Sequence, residues 1–306
     1  MTLVANEVRG AMKGFGTNDE ALIRAVAKLD PLQIAGLRQA YKSRIGRDLE
    51  KDVSSETSGY YREALLAIVR GPLLEDAHCV QKAIKGLGTK ELMLNDVLIS
   101  RSNADVRAIK AAYRQTFGKD MGADVKGDLS MKTERHFMMI MAATRNEEST
   151  PINPQQVGQD VDAFHDATER KAGTDELRVC EMMTNRSDGQ IRAIAQQYRQ
   201  RFQKPLDAVI RSEFSGHMQD ALLLQLSRAT DRAMSDAVHL EEAMKGFGTK
   251  DELLVQRIVR AHWNRQHLEQ VKGAYAHRFK NPGGLPKRVA GEVSGHYKEV
   301  MLACLA

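Results

Sequence analysis

The sequence predicts an all-α protein built from four related units of about five short helices each. Three observations predict it. Apolar residues recur with a 3.6-residue period, and strand-like alternation is absent. Aromatic residues make up only 5% of the chain and proline only 7 of 306 residues, against 14 methionines, whereas all-β architectures usually draw on more aromatics and proline-marked turns. Self-comparison finds the same short segments four times, at a spacing that fills the chain.

Each unit opens on a glycine loop. The four are Met12-Lys13-Gly14-Phe15-Gly16-Thr17, Ile84-Lys85-Gly86-Leu87-Gly88-Thr89, Glu169-Arg170-Lys171-Ala172-Gly173-Thr174 and Met244-Lys245-Gly246-Phe247-Gly248-Thr249, whose second glycines are spaced by 72, 85 and 75 residues. Thr17 and Thr249 lie three residues before Glu20 and Glu252, which predicts capping boxes opening a helix directly after the loop. In the first unit Leu22, Ala25, Val26 and Leu29 form one helical stripe, Ile34, Leu37, Tyr41 and Ile45 a second, and Tyr61, Ala64, Leu65 and Ile68 a third. Tyr41, Tyr113, Tyr198 and Tyr275 correspond between units, each followed four residues later by Ile45, Phe117, Phe202 or Phe279 on the same helix face. A third block, Glu56-Thr57-Ser58-Gly59, Asp128-Leu129-Ser130-Met131, Glu213-Phe214-Ser215-Gly216 or Glu292-Val293-Ser294-Gly295, precedes a closing apolar helix.

The expected boundaries are residues 1–71, 72–145, 158–229 and 230–306, with 146–157 as a linker between halves. That linker is polar and contains Pro151 and Pro154, which argue against a continuing helix. The fourth unit carries two insertions of two residues, between Thr249 and Tyr275 and between Tyr275 and Glu292, both expected in loops.

Composition excludes several classes. The longest apolar run, Phe137 to Ala143, is far shorter than the roughly 20 residues that span a bilayer. No secretory signal is visible at the start, and Cys79, Cys180 and Cys304 are too far apart for a disulfide framework or a structural zinc, so a reducing cytosol is the expected compartment. A net charge of +5 is compatible with phospholipid or nucleic acid and does not choose between them.

Two glycines within three residues permit backbone angles that turn several carbonyl oxygens toward one point. The nucleotide-binding glycine patterns do not match, since there is no GxxxxGK followed by Ser or Thr, and no strand precedes the loop. A helix C-cap glycine followed by an N-cap threonine would also recur in a helical repeat, and for one loop alone that is the simpler reading. The acids add a second constraint. Glu56, Asp128 and Glu213 each lie 42 residues beyond Gly14, Gly86 and Lys171, and Glu292 lies 46 beyond Gly246. Four acids in register with four loops predict a two-part oxygen site. Calcium prefers six to eight oxygen ligands, carbonyls and a bidentate carboxylate among them. Helix capping by the acid is compatible with the same pattern.

These residues resemble the annexin family. The loop, the separation and the acid in its Ser-Gly context look like the annexin type II calcium site, and the resemblance covers essentially the whole chain. It implies four repeats of five helices in a slightly curved disc, with calcium loops on the convex face and reversible, calcium-dependent binding to acidic, phosphatidylserine-like phospholipid. It implies carbonyl ligands from Met12, Gly14 and Gly16 with Glu56; Ile84, Gly86 and Gly88 with Asp128; Met244, Gly246 and Gly248 with Glu292; and, in a departed third repeat, Lys171 and Gly173 with Glu213. Asp76, Asp96, Arg101 and Arg257 fall where annexins place buried charges around a central channel, though helix-packing ion pairs explain them nearly as well. About 11 residues precede the first loop, which leaves little room for the tail-based regulation of many annexins.

The protein is therefore expected to be a cytoplasmic, non-enzymatic module that joins membranes peripherally in calcium. Self-association there is left open, and the alternative is a metal-independent helical scaffold or nucleic-acid binder. His165, His217, His262 and His267 lack a catalytic spacing and are expected at the surface; Cys180 is expected to fill a small apolar position. Phe15, Leu87 and Phe247 sit at loop tips, free either to dip into a headgroup layer or to fold back on helix ends. Calcium occupancy is expected to be highest in repeats one and four, intermediate in two and lowest in three, where Lys171 opposes a cation.

Overall fold

The computed structural model describes every residue except Phe15, Ser130, Lys171 and Ala172, and the side chain of Met131. Its elements are helices: α1 (Thr2–Ala11), α2 (Asp19–Val26), α3 (Pro31–Ala40), α4 (Leu49–Glu56), α5 (Gly59–Ile84), α6 (Glu91–Leu98), α7 (Asn103–Phe117), α8 (Met121–Asp128), α9 (Met131–Ala142), α10 (Pro154–Thr168), α11 (Glu176–Asn185), α12 (Asp188–Phe202), α13 (Leu206–Glu213), α14 (Gly216–Thr230), α15 (Arg232–Met244), α16 (Asp251–His262), α17 (Arg265–Phe279), α18 (Gly284–Glu292) and α19 (Gly295–Leu305). A π-turn at Tyr41–Ile45 continues α3. Helix α5 is two helices joined at Gly71, whose φ of 74° and ψ of 171° are non-helical, with Pro72 restarting the chain behind it. Counted so, each repeat has five helices, and no strand occurs among the described residues.

Side chains set the helix ends. Asp30 and Gln33 form a capping box before Pro31 at the first position of α3, and Ser187 with Gln190 does the same for α12. Asn153 caps α10, and Pro154 occupies the first helical position, where its missing N–H costs nothing; the polar stretch at 146–157 is thus irregular only as far as Asn153. The insertions of the fourth repeat also lie elsewhere than loops alone. Helix α16 has 12 residues against 8 in α2, and α18 has 9 against 8 in α4, so the extra residues largely prolong helices.

The chain forms two compact units, Met1–Glu75 with Asp236–Ala306, and Asp76–Ser235. In the first, α2 and α16 both lie against α19, and His296 meets Asp19 at 3.3 Å. In the second, α6 and α9 lie against α14, and Arg228 on α14 reaches Asp96 at 3.3 Å and the Ile99 carbonyl at 3.1 Å. Asp76 pairs with Arg101, while Arg257 donates to the His239 carbonyl. The predicted stripes form the cores. Tyr41, Tyr113, Tyr198 and Tyr275 are fully buried, and the rings of Phe117, Phe202 and Phe279 lie 4.7–4.9 Å from their tyrosines. Each buried hydroxyl donates to a carboxylate, those of Asp52, Asp124, Glu169 and Glu241 respectively, which removes the cost of burying it unpaired.

Candidate functional site

The glycine loops join the first and second helices of each repeat and are pinched at the base by one backbone hydrogen bond. Asn18, Lys90 and Lys250 donate their N–H groups to the carbonyls of Ala11, Ala83 and Ala243 at 2.7–2.8 Å. In the third repeat Asp175 donates to Ala167 at 2.7 Å, closing a loop one residue longer than the others. Counting from Gly173 to Glu213 hid that insertion, because the extra residue lies between Ala167 and Gly173. Buried side chains of Met12 and Met244 anchor two of the loops from below.

Within the loops, Gly14, Gly86 and Gly246 have φ of 119°, 116° and 105°, and Gly16, Gly88, Gly173 and Gly248 have φ of 83°, 78°, 86° and 83°. A Cβ on any of them would meet nothing within 4 Å. Glycine is thus required by the backbone angle and not by crowding, and three loops share one geometry. Leu87 and Phe247 at the tips are fully exposed, so these two do not fold back onto helix ends. Phe15 and Lys171, with the roles expected of them, lie outside the described residues.

Each acid sits at the end of a helix. Glu56, Asp128, Glu213 and Glu292 are the last residues of α4, α8, α13 and α18. The threonine of the loop reaches across to it: the Thr17, Thr89, Thr174 and Thr249 hydroxyls donate to these carboxylates at 3.4, 2.5, 2.6 and 2.8 Å. This corrects the expected capping boxes. Helix α2 is capped by Asn18, whose side chain accepts from the Ala21 N–H at 3.1 Å, and α16 has Lys250 at its N-cap and no side-chain cap. Each threonine lies one residue before its helix's N-cap, Asn18 or Lys250, so its oxygen does not accept from the first turn, and its hydroxyl proton goes to the carboxylate. A carboxylate at a helix C-terminus faces the negative end of the helix dipole, so the acids occupy positions that a nearby cation would relieve.

The four acids differ in company. Glu56, Asp128 and Glu213 form no ion pair with a described residue. Glu292 pairs with Arg288, one turn earlier on α18, and the same guanidinium donates to the Met244 carbonyl at 2.8 Å and meets Glu241 at 3.3 Å. Burial works against the charge on Glu292, but the Thr249 hydroxyl and Arg288 outweigh it and hold the carboxyl below its ordinary range. The i, i+4 spacing of Arg288 and Glu292 was the one sequence signal for this contact.

The remaining candidates have packing roles. Burial pushes the Cys180 thiol up to about 12, which suits a filler and not a nucleophile. His217 and His262 are buried, against the surface expectation, and burial pushes both down to about 4. His165 stacks on Phe202 at 3.9 Å, and His267 meets Asp236 at 2.7 Å.

Comparison with known proteins agrees with this architecture. The annexin family model matches four times, over residues 4–68, 75–140, 159–224 and 235–304. The chain is 38% identical over 305 residues to annexin C1 of Cryptococcus neoformans and 34% identical over 302 residues to annexin A13 of Mus musculus, in each case over 98% of its length. It spans 64% of annexin C1 and 57% of annexin A7 of Xenopus laevis, but 93% of annexin A13. Among solved structures, annexin III superposes with a TM-score of 0.92 at 25% identity, covering 99% of this chain and 93% of that one. Chicken annexin V does so with a TM-score of 0.88 at 27% identity, covering 100% and 95%. The calcium-bound annexin (Sm)1 gives 0.86 at 25%, covering 100% and 90%. With four matched repeats, five helices in each and relatives above 30% identity along its length, the chain belongs to the annexin family.

Proposed function

We propose that the loops bind calcium and thereby attach the protein reversibly to acidic phospholipid. The observation that carries this reading is the fourfold recurrence of a threonine-held carboxylate at a helix C-terminus beside a loop whose glycines have positive φ. The donor set fits a hard cation. Carbonyls and one carboxylate are oxygen ligands of the kind calcium takes, and no His or Cys, the donors softer metals favour, occurs among the loop and acid positions. Met12, Gly14 and Gly16 with Glu56 would hold the ion in repeat one, Ile84, Gly86 and Gly88 with Asp128 in repeat two, Gly173 with Glu213 in repeat three, and Met244, Gly246 and Gly248 with Glu292 in repeat four. Calcium held there would supply positive charge for an anionic lipid headgroup.

One carboxylate and several neutral carbonyls would hold calcium weakly on their own, so an anionic lipid oxygen would add to its affinity. Lipid and calcium then strengthen each other by the same factor, as linkage requires. In repeats one to three the threonine hydroxyl holds one carboxylate oxygen in place, which would leave the other for the ion. The apolar tips Leu87 and Phe247 gain by entering the headgroup boundary, and the net charge of +5 adds attraction to an anionic leaflet. No described helix is long and apolar enough to cross a membrane, which suits peripheral attachment from the cytoplasm. Sedimentation with phosphatidylserine vesicles tests the proposal: the protein should pellet in calcium and return to the supernatant with a chelator. Equal pelleting in both conditions would favour a metal-independent scaffold instead.

A further inference from the structure

We propose that Arg288 acts as a tethered competitor for calcium in repeat four, its guanidinium bonding the Glu292 carboxylate and the Met244 carbonyl until the ion displaces it. This rests on the calcium reading of the loops. Two of the guanidinium's three partners, the Met244 carbonyl of the loop and Glu292 of α18, are proposed ligands, so arginine and cation require the same oxygens.

The arginine is there through a reversal of charge within the repeat. In repeat one Arg9, three residues before Met12, meets Asp52, four residues before Glu56, at 3.3 Å, and the Tyr41 hydroxyl donates to Asp52 at 2.7 Å. Repeat four has the same three positions with the signs exchanged: Glu241 three residues before Met244, Arg288 four before Glu292, and the Tyr275 hydroxyl on Glu241. Either arrangement neutralises the pair beneath the loop. Only the second puts the cation on the helix that carries the site's acid, one turn away and on the same face. The corresponding positions of repeats two and three are Asp124 and Val209, so no other repeat has a cation there. Arg288 is 22% exposed, and its further contact with Glu241 orients it toward the loop. Calcium must therefore break a charge-assisted pair before it gains the carboxylate, which ranks repeat four below repeat one and not beside it.

Calorimetric calcium titration tests this in a chain carrying Glu56→Gln, Asp128→Asn and Glu213→Gln, which leaves repeat four alone. Adding Arg288→Gln should tighten binding about tenfold. Glu241→Arg together with Arg288→Asp, which restores the arrangement of repeat one and keeps the pair, should give a similar gain. Unchanged affinity in both overturns the competition while leaving the calcium reading intact; a natural chain that binds no calcium at all overturns that reading. A second measurement needs no substitution. Phenylglyoxal modification of Arg288, followed by peptide mass spectrometry, should be slow in chelator and faster with calcium and phosphatidylserine vesicles, with the exposed Arg199 as the unchanging reference. An Arg288 as reactive as Arg199 in chelator, or unaffected by calcium, would also overturn it.

Discussion

Glu56→Gln should move two quantities in opposite directions. Glu56 ends α4 with no basic residue in the last turn, and among the described residues only the Thr17 hydroxyl, at 3.4 Å, bonds its carboxylate. Removing the charge relieves an unfavourable encounter with the helix dipole, so the protein in chelator should be stabilised by about 0.3–1 kcal/mol. Calcium binding should suffer far more. A divalent ion about 2.4 Å from a carboxylate oxygen gains about 3 kcal/mol even in the dielectric of bulk water, a loss of about a hundredfold in affinity when the charge goes. The assay is calorimetric titration in a chain already carrying Asp128→Asn, Glu213→Gln and Glu292→Gln, with thermal unfolding in chelator alongside. An unchanged calcium titration refutes the ligand role. Destabilisation in chelator would refute the dipole argument, because it would mean that the carboxylate holds the fold together.

Other consequences are independent of that one. Gly16→Ala places a Cβ in open space at a φ of 83°, so the folded backbone should pay about 1–2 kcal/mol with no clash, seen as a lower melting temperature with an unchanged circular dichroism spectrum; an unaltered melting temperature would show that the loop relaxes freely. His136 and His217, neighbours in the second unit, are buried, and burial pushes both down to about 4 from 6.5. The unfolded chain therefore binds more protons below about pH 6.5, and stability should be flat above that pH and fall toward pH 4. Neither ring nitrogen of His136 has a hydrogen-bond partner among the described residues, so His136→Leu should reduce the acid sensitivity measured by urea unfolding at pH 7 and pH 5; an identical pH dependence would count against it. Phe247→Trp, in a chain where Trp263 is replaced by Phe, should show blue-shifted emission when vesicles and calcium are added, and an unshifted spectrum would exclude tip insertion.

The repeat, the helical class and the location of the loops were legible in the sequence because each rests on local encoding. Apolar residues at a 3.6-residue period commit a segment to a helix face, and Gly14, Gly16 and their counterparts mark backbone angles that other residues adopt only at a cost. The register of Glu56, Asp128 and Glu213 with their loops was visible as a constant spacing, although α11 is two residues longer than α2 and α6. What the side chains at those positions do was decided by tertiary structure. Thr17 lies near both a helix start and, 39 residues on, a carboxylate; which one its hydroxyl chooses depends on how α4 approaches the loop, and no spacing rule contains that distance. The extra residue in the third loop was invisible to counting from Gly173, and only the hydrogen bond from Asp175 to Ala167 defines where that loop begins. Histidines at 217 and 262 look polar in a string, yet helix packing buries them. Arg288 illustrates the division most fully. Its four-residue offset from Glu292 was readable, but its bond to the Met244 carbonyl joins elements 44 residues apart, and such a contact exists only once α18 is folded against the loop.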